Sequence, residues 1–344
     1  MNQGAAERLL RICPEASLLY RVIGQEESAA SGWLLNAMPA PGLTELAPRV
    51  ECCWQPMRYH VLRLEALGLK VADATVGTYA WAGVLPMKSK RATLGMLARA
   101  WSCLAEGGRL WFAAANRHGA RSWQHILGQL GQVRVMSKSK CRLFRVVKHL
   151  RHQELLSSWN QQAEPEYLEE TGLWSEPGLF SWDRLDPGTR LLLEHVPDAS
   201  VDSCMDLCCG YGALAAGMLA RGISVGHLTL VDADIRALRM AERNVRGFDV
   251  AIRACWLDAV REELPGRMEL IVCNPPFHED QHRDSGLGQS ILARACNSLR
   301  NGGQLWAVAN RQLPYEQALH DAAGAVRVVV QQKGFKVLMA RKVR

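Results

Sequence analysis

Two short segments carry side chains whose types and spacing suit group-transfer chemistry. In the first, Asp206-Leu207-Cys208-Cys209-Gly210-Tyr211-Gly212, an acid stands four residues before a Gly-x-Gly turn that leads into a helical run near 212–220. Gly210 and Gly212 let the backbone approach a ligand closely, with the N–H groups of a helix start behind them. Asp232 closes the next apolar run, twenty residues after Gly212, where a carboxylate can accept both hydroxyls of a ribose. Gly210-x-Gly212-x-x-Ala215 also fits a dinucleotide turn, so a nicotinamide oxidoreductase is one reading of this segment. Asp206 favours another: a pyrophosphate has no need of an acid there, whereas a ligand bearing an ammonium and a sulfonium is suited by one.

The second segment, Asn274-Pro275-Pro276-Phe277, directly follows the strand-like run Met268–Cys273. Consecutive prolines fix φ and remove N–H donors, which leaves a row of carbonyl acceptors. Asn274 adds a side-chain carbonyl, and Phe277 a flat face on which a planar ring can stack, worth roughly 1–3 kcal/mol per base. These four residues are the candidate catalytic set, built to hold a planar exocyclic amine beside whatever the 206–212 segment binds.

The elements that must position these segments are legible through a duplication. Residues 97–111 (LARAWSCLAEGGRLW) match 292–306 (LARACNSLRNGGQLW) at nine of fifteen positions, AANR at 114–117 matches VANR at 308–311, and 139–148 tracks 333–342. One repeat at this spacing indicates two domains of one fold. Each copy reads helix, Gly-Gly turn, strand, helix, strand, with Trp111 and Trp306 as matched core positions. Strand-like runs at Cys204–Cys208, His227–Val231, Val250–Trp256 and Met268–Cys273 alternate with helical runs, which predicts a parallel sheet wrapped by helices. The short turn between Val326–Gln331 and Phe335–Arg341 predicts an antiparallel hairpin at its edge. The fold class expected is α/β, two tandem Rossmann-like domains with mostly parallel seven-stranded sheets, spanning 1–150 and 178–344. Residues 151–177, polar and carrying Pro165 and Pro177, read as a linker. By the offset of the repeat, the first copy should place its counterpart of Asn-Pro-Pro-Phe near Tyr79–Ala82 and has no such residues there, nor an acid-preceded Gly-x-Gly turn in 1–80.

Composition narrows the partners. The 344 residues are 48% apolar and 22% charged, which suits folded domains, and no apolar stretch approaches the ~18 residues that span a bilayer. No basic segment followed by an apolar stretch opens the chain, so no secretory signal and no membrane association are expected. Eleven cysteines, an odd number with no CxxC pair, read as free thiols of a cytoplasmic protein without a metal site. Residues 1–150 hold 20 Lys+Arg against 9 Asp+Glu, whereas 151–344 hold 21 against 25. From Gly107 to Gln153 there are ten basic residues and no acid, among them Arg134, Lys138, Lys140, Arg142 and Arg145, which points to a polyanion partner.

The Asp-x-x-x-Gly-x-Gly segment with Asp232 and NPPF resembles the class I S-adenosylmethionine-dependent methyltransferases that act on amino groups. Together with PGLFSWDRLDPGTRLLLEH (177–195), NPPFH (274–278), VANRQLPY (308–315), GFKV (334–337) and the degenerate first copy, it most resembles the bacterial ribosomal RNA guanine-N2 methyltransferases of the small-subunit 16S family. The resemblance implies S-adenosylmethionine as cofactor and rRNA or a 30S subunit as partner, with a monomeric enzyme expected. It implies that Asp206, Cys208, Gly210 and Gly212 lie along the methionine part of the cofactor, Asp232 at its ribose and Asp258 at its adenine. Asn274 and the Pro275 carbonyl would accept from the target amine and Phe277 would stack on the base. His278 either contacts the flipped base or orients its own loop. Members of the family usually carry glycine where this chain has Cys208. A large-subunit (23S) rRNA methyltransferase, a non-catalytic RNA-binding assembly factor and a protein-glutamine methyltransferase are the other readings.

Overall fold

Strand-forming runs and amphipathic helices sort the chain into two units, residues 1–164 and 165–344. The computed structural model describes all residues except 1–12, 28–31, 73–76, 277, 280–281, 284 and 344, and describes 278–279, 282–283 and 285 by their backbone only. In the first unit the strands are β1 (Gly32–Leu35), β2 (Val50–Trp54), β3 (Tyr79–Val84), β4 (Leu104–Ala115), β5 (Val133–Lys138) and β6 (Cys141–Val147), ordered β2-β1-β3-β4-β6-β5. The first four run parallel, and β4-β6-β5 is antiparallel. Two apolar clusters cover the two faces of this sheet, one around Trp101, Phe112 and Phe144, the other around Tyr20, Trp81 and Trp111.

The second unit opens with a small hairpin, β7 (Glu166–Leu168) and β8 (Leu173–Ser175). Its main sheet contains β9 (Val201–Leu207), β10 (Val225–Asp232), β11 (Ala251–Trp256) and β12 (Met268–Cys273). After a two-stranded excursion, β13 (His278–Glu279) and β14 (His282–Arg283), the sheet is completed by β15 (Leu299–Asn310), β16 (Gly324–Gln332) and β17 (Phe335–Lys342). The order is β11-β10-β9-β12-β15-β17-β16, parallel up to β15 and closed by the antiparallel edge hairpin that the sequence predicts. Trp306 and Trp111 are both buried at matching places in β15 and β4.

Three features depart from the sequence-based expectation. The first sheet has six strands, not seven; a single parallel bridge between Cys53 and Val71 stands where the outermost strand of the second sheet, β11, would lie. The stretch 151–177 is folded. Leu156 and Trp159, three residues apart on the helix Gln153–Ala163, are buried, and the helix packs on Lys90–Cys103 within the first unit. The β7–β8 hairpin belongs to the second unit, where the Asn244 carboxamide accepts from Trp174 N and donates to Trp174 O, both at 2.8 Å. Polar composition hid both elements because a narrow apolar stripe suffices to dock a short helix. Finally, the counterpart of Asn274 is not near Tyr79. Leu35 pairs with Val84 as Leu207 pairs with Cys273, so the residue equivalent to Asn274 is Leu85 and that of Pro275 is Pro86. Between strand and following helix the first unit has five residues, 85–89, and the second has eleven, 274–284, which shifts the repeat offset by six.

Candidate active site

The carboxyl ends of β9, β10 and β12 are neighbours in the sheet and bring Cys208–Gly212, Asp232 and Asn274-Pro275 to one edge, where open α/β sheets bind ligands. Hydrogen bonds lock the glycine loop: Cys209 N donates to Val231 O (3.1 Å), Gly210 N to Asp232 Oδ2 (2.8 Å) and Gly212 N to Cys209 O (2.8 Å). Cys208 begins the loop at φ +60°, a left-handed conformation that glycine adopts freely and a side chain does not. Gly212, at φ +82°, admits the helix Ile235–Val245 so closely that a Cβ would lie 2.8 Å from the Ala241 Cα.

Asp206 is fully buried under this loop. Its Oδ2 accepts from Ala215 N (3.0 Å), while Oδ1 has no partner among the described residues. Burial pushes its carboxyl up to about 7, with the Ala215 N–H opposing the shift. An orphaned acceptor beneath a glycine loop fits a ligand that brings an N–H or a cation. Asp232 is likewise raised to about 6 by burial, against the N–H groups of Asp234 and Gly210. Each of its oxygens accepts one backbone N–H, from Gly210 and Asp234 at 2.8 Å, which leaves lone pairs for a ribose. Asp258, also buried, is more committed: Oδ1 accepts from Val260 N (3.0 Å) and Oδ2 pairs with Arg261 (2.6 Å). It caps the turn that follows β11.

Asn274 is half-buried at the end of β12 and its amide is oriented by two side chains that the sequence reading did not single out. Nδ2 donates to Asp186 Oδ2 (3.0 Å) and to Thr189 Oγ1 (2.9 Å). Asp186 also caps the helix Pro187–Leu193 by accepting from Thr189 N at 2.8 Å. The available signal was Asp-Pro-x-Thr at a helix start, inside a segment noted only for its resemblance. Pro275 is buried and Pro276 exposed. Phe277 lies outside the described residues, as does the His278 side chain. Tyr211 packs with Leu179, Ala213, Ala237 and Met240 and donates from its hydroxyl to Arg184 O (3.0 Å), tying the 165–187 segment to the glycine loop.

The basic residues of the first unit divide into two kinds. Arg134, Lys138 and Lys140 are exposed on β5 and its turn into β6. Arg142 is half-buried and donates to Gln124 Oε1 (3.3 Å). Arg145 is held internally: its guanidinium pairs with Glu26 at 2.6 Å and lies 5.5 Å from the centre of the Trp111 ring. Arg109 pairs with buried Glu27 (3.1 Å), and Lys148 donates to Trp101 O and Leu104 O at the end of the helix Lys90–Cys103. A run of like charges thus overstates the free positive surface. Among the described residues no cluster of His, Cys, Asp and Glu is placed to hold a metal, and no helix is long and apolar enough to cross a membrane.

The chain is similar to known proteins over most of its length. The family model of the methyltransferase small domain matches residues 170–339. The ribosomal RNA small subunit methyltransferase C of Sodalis glossinidius is 32% identical over 351 residues, covering 96% of this chain and 95% of the relative. That of Pseudomonas paraeruginosa is 29% identical over 336 residues, covering 96% and 99%. A solved T. thermophilus 16S rRNA N2 methyltransferase, in complex with AdoMet and guanosine, superposes with a TM-score of 0.77 at 23% identity, over 94% of this chain and 92% of that one. That likeness spans both units.

Proposed function

The chain belongs to the ribosomal RNA small subunit methyltransferase C family, and from that membership we propose that it methylates the exocyclic N2 of a guanine in 16S ribosomal RNA, with S-adenosylmethionine as donor. The observation that carries the reading is the meeting of the Asn274-Pro275 acceptors with the 208–212 loop and Asp232 at one sheet edge. The orphaned Oδ1 of Asp206 and the two carboxylates at 232 and 258 fit the ammonium, ribose and adenine of that cofactor. When bound, it supplies an electrophilic sulfonium methyl group.

The chain's own residues do the rest by positioning. A guanine amine is a poor nucleophile because its lone pair is delocalised into the ring. Asn274 Oδ1 and Pro275 O accept its two hydrogens, which draws the nitrogen toward tetrahedral geometry and aims the lone pair. No strong base is needed, since the cationic product is acidic. Holding reactants in line lowers barriers by several kcal/mol, up to ~7–11. The base must leave its stack to reach the site, at a cost of a few kcal/mol. Phe277 and His278 are assigned to the flipped base.

The first unit serves as the RNA-holding domain, through Arg134, Lys138 and Lys140 with Arg142 beside them; Arg145 acts there by bracing the sheet. The enzyme works in the cytoplasm as a monomer, on an assembled or partly assembled 30S particle. The test is transfer of labelled methyl groups to 30S subunits, 50S subunits and naked rRNA from cells lacking the enzyme. Label at a 16S guanine N2, lost about 10²-fold in Asn274→Ala while cofactor affinity holds, is the expected result. Label confined to 23S rRNA, or none with cofactor bound, overturns it. Neutralising Arg134, Lys138 and Lys140 together lowers the salt slope of RNA binding by roughly 2–3.

A further inference from the structure

We propose that Asp186 and Thr189 are positioning residues that fix the polarity of the Asn274 carboxamide, so that the site presents oxygen and never nitrogen to its substrate. The proposal rests on the reading of Asn274 as the acceptor of the target amine. The two ends of a carboxamide are nearly equal in size, and one donates where the other accepts. An unrestrained Asn274 would therefore present either end, and the wrong end would repel an amine.

Here both hydrogens of Nδ2 are used, on Asp186 Oδ2 and Thr189 Oγ1. Turning the amide over would set its oxygen against the Asp186 carboxylate, acceptor against acceptor. Asp186 is itself held in place. It caps its helix from the position before Pro187, where the helix start favours negative charge, and a Cβ on the neighbouring Gly188 would crowd Asp186 Oδ2 (3.0 Å) and the Phe335 ring (3.1 Å). Thr189 is buried. Orientation is thus present before substrate arrives, which is the form of preorganisation that assists a reaction most.

The first unit supplies independent support. Its helix Pro14–Glu26, which likewise precedes the first strand of the sheet, is also opened by a residue-proline pair, Cys13-Pro14, with Ala16 at the place of Thr189. The equivalent of Asn274 is Leu85. All three members of the set are absent together where no amide needs orienting.

A double-mutant cycle with single-turnover methyl transfer to 30S subunits tests the proposal. Asp186→Ser keeps an N-cap oxygen but is too short to reach Asn274; Thr189→Val removes the hydroxyl and leaves the cap, and Thr189→Ser restores it. Turnover is expected to fall about tenfold in Asp186→Ser and in Thr189→Val, with cofactor and particle affinities unchanged within about twofold, and to return in Thr189→Ser. On the Asn274→Ala background neither change should lower turnover further. A further tenfold loss there, or wild-type turnover in both single variants, overturns the proposal. If Asp186→Ser does not fold, the Thr189 pair completes the cycle. Failure of the wild-type protein to methylate 16S rRNA at all would instead sink the functional reading, before any variant is compared.

Discussion

The two units share a frame and differ in a handful of side chains at one edge of it. Register aligns Leu34-Leu35-Asn36 of the first with Asp206-Leu207-Cys208 of the second, and Gln55 with Asp232. Even local bonding is kept: Gln55 Oε1 accepts from Met57 N (2.9 Å) as Asp232 Oδ1 accepts from Asp234 N (2.8 Å). Asn36 and Cys208 both sit at positive φ, +53° and +60°. What the first unit does with this frame is fill it. The Asn36 amide donates to Leu85 O (3.3 Å) and Pro86 O (3.1 Å), the carbonyls that correspond to those of Asn274 and Pro275, and Gln55 holds Asn36 by its Oδ1 (3.2 Å). An internal –NH2 group occupies the Pro86 carbonyl, the counterpart of the Pro275 carbonyl that we propose accepts from the substrate. Retaining a fold while discarding its chemistry takes few changes, because a buried acceptor needs a donor and any nearby amide can serve.

Writing the first unit's residues into the second is the sharpest way to break this comparison. Asn274→Leu should have the largest effect, lowering methyl transfer by about 10²-fold or more with little change in melting temperature; near-normal transfer would mean the edge is not where the chemistry occurs. Asp206→Asn comes next and reads out through pH. The folded carboxyl is raised to about 7 from an ordinary 3.8, so between those values the native state holds a proton that the unfolded chain has released. Wild-type stability therefore declines as pH rises through that window and levels off above it, whereas the amide variant lacks this decline. The gap, up to a few kcal/mol, should open from pH 4 to 7 in thermal melts. In the first unit, Asn36→Ala should cost about 1–2 kcal/mol of stability by leaving Leu85 O, Pro86 O and Gln55 short of partners, with turnover unchanged. The smallest effect belongs to Cys208→Gly, which relieves a left-handed side chain and frees the unfolded chain in near balance. Denaturant curves should shift by no more than about 1 kcal/mol, in the stabilising direction.

Much of this was readable from residue order because β12 and β15 end in apolar runs, Leu270–Cys273 and Leu305–Ala309, and Asn274 directly follows the first of them. The parallel sheet, the edge hairpin and the meeting of the two segments follow from that pattern. Register in the first unit was not readable: identity is concentrated in 97–111 and 292–306, and an offset taken there overshoots once the six extra residues before the helix Ser285–Ser298 are crossed. Partners distant in sequence were equally hidden. Nothing local marks Arg145 as bound to Glu26 or Lys148 as bound to the helix Lys90–Cys103, since a paired cation and a solvated one look alike in a string. Asn274 was found from its own motif, but Asp186 and Thr189, over eighty residues upstream, needed the fold to bring them alongside.

The contact between Gly212 and Ala241 has its own consequence. The space between turn and helix is too small for a side chain at 212, and the buried methyl of Ala241 borders the loop there. Volume added at that methyl has no free space to enter and would press on the glycine loop, the part of the chain proposed to seat the methyl donor.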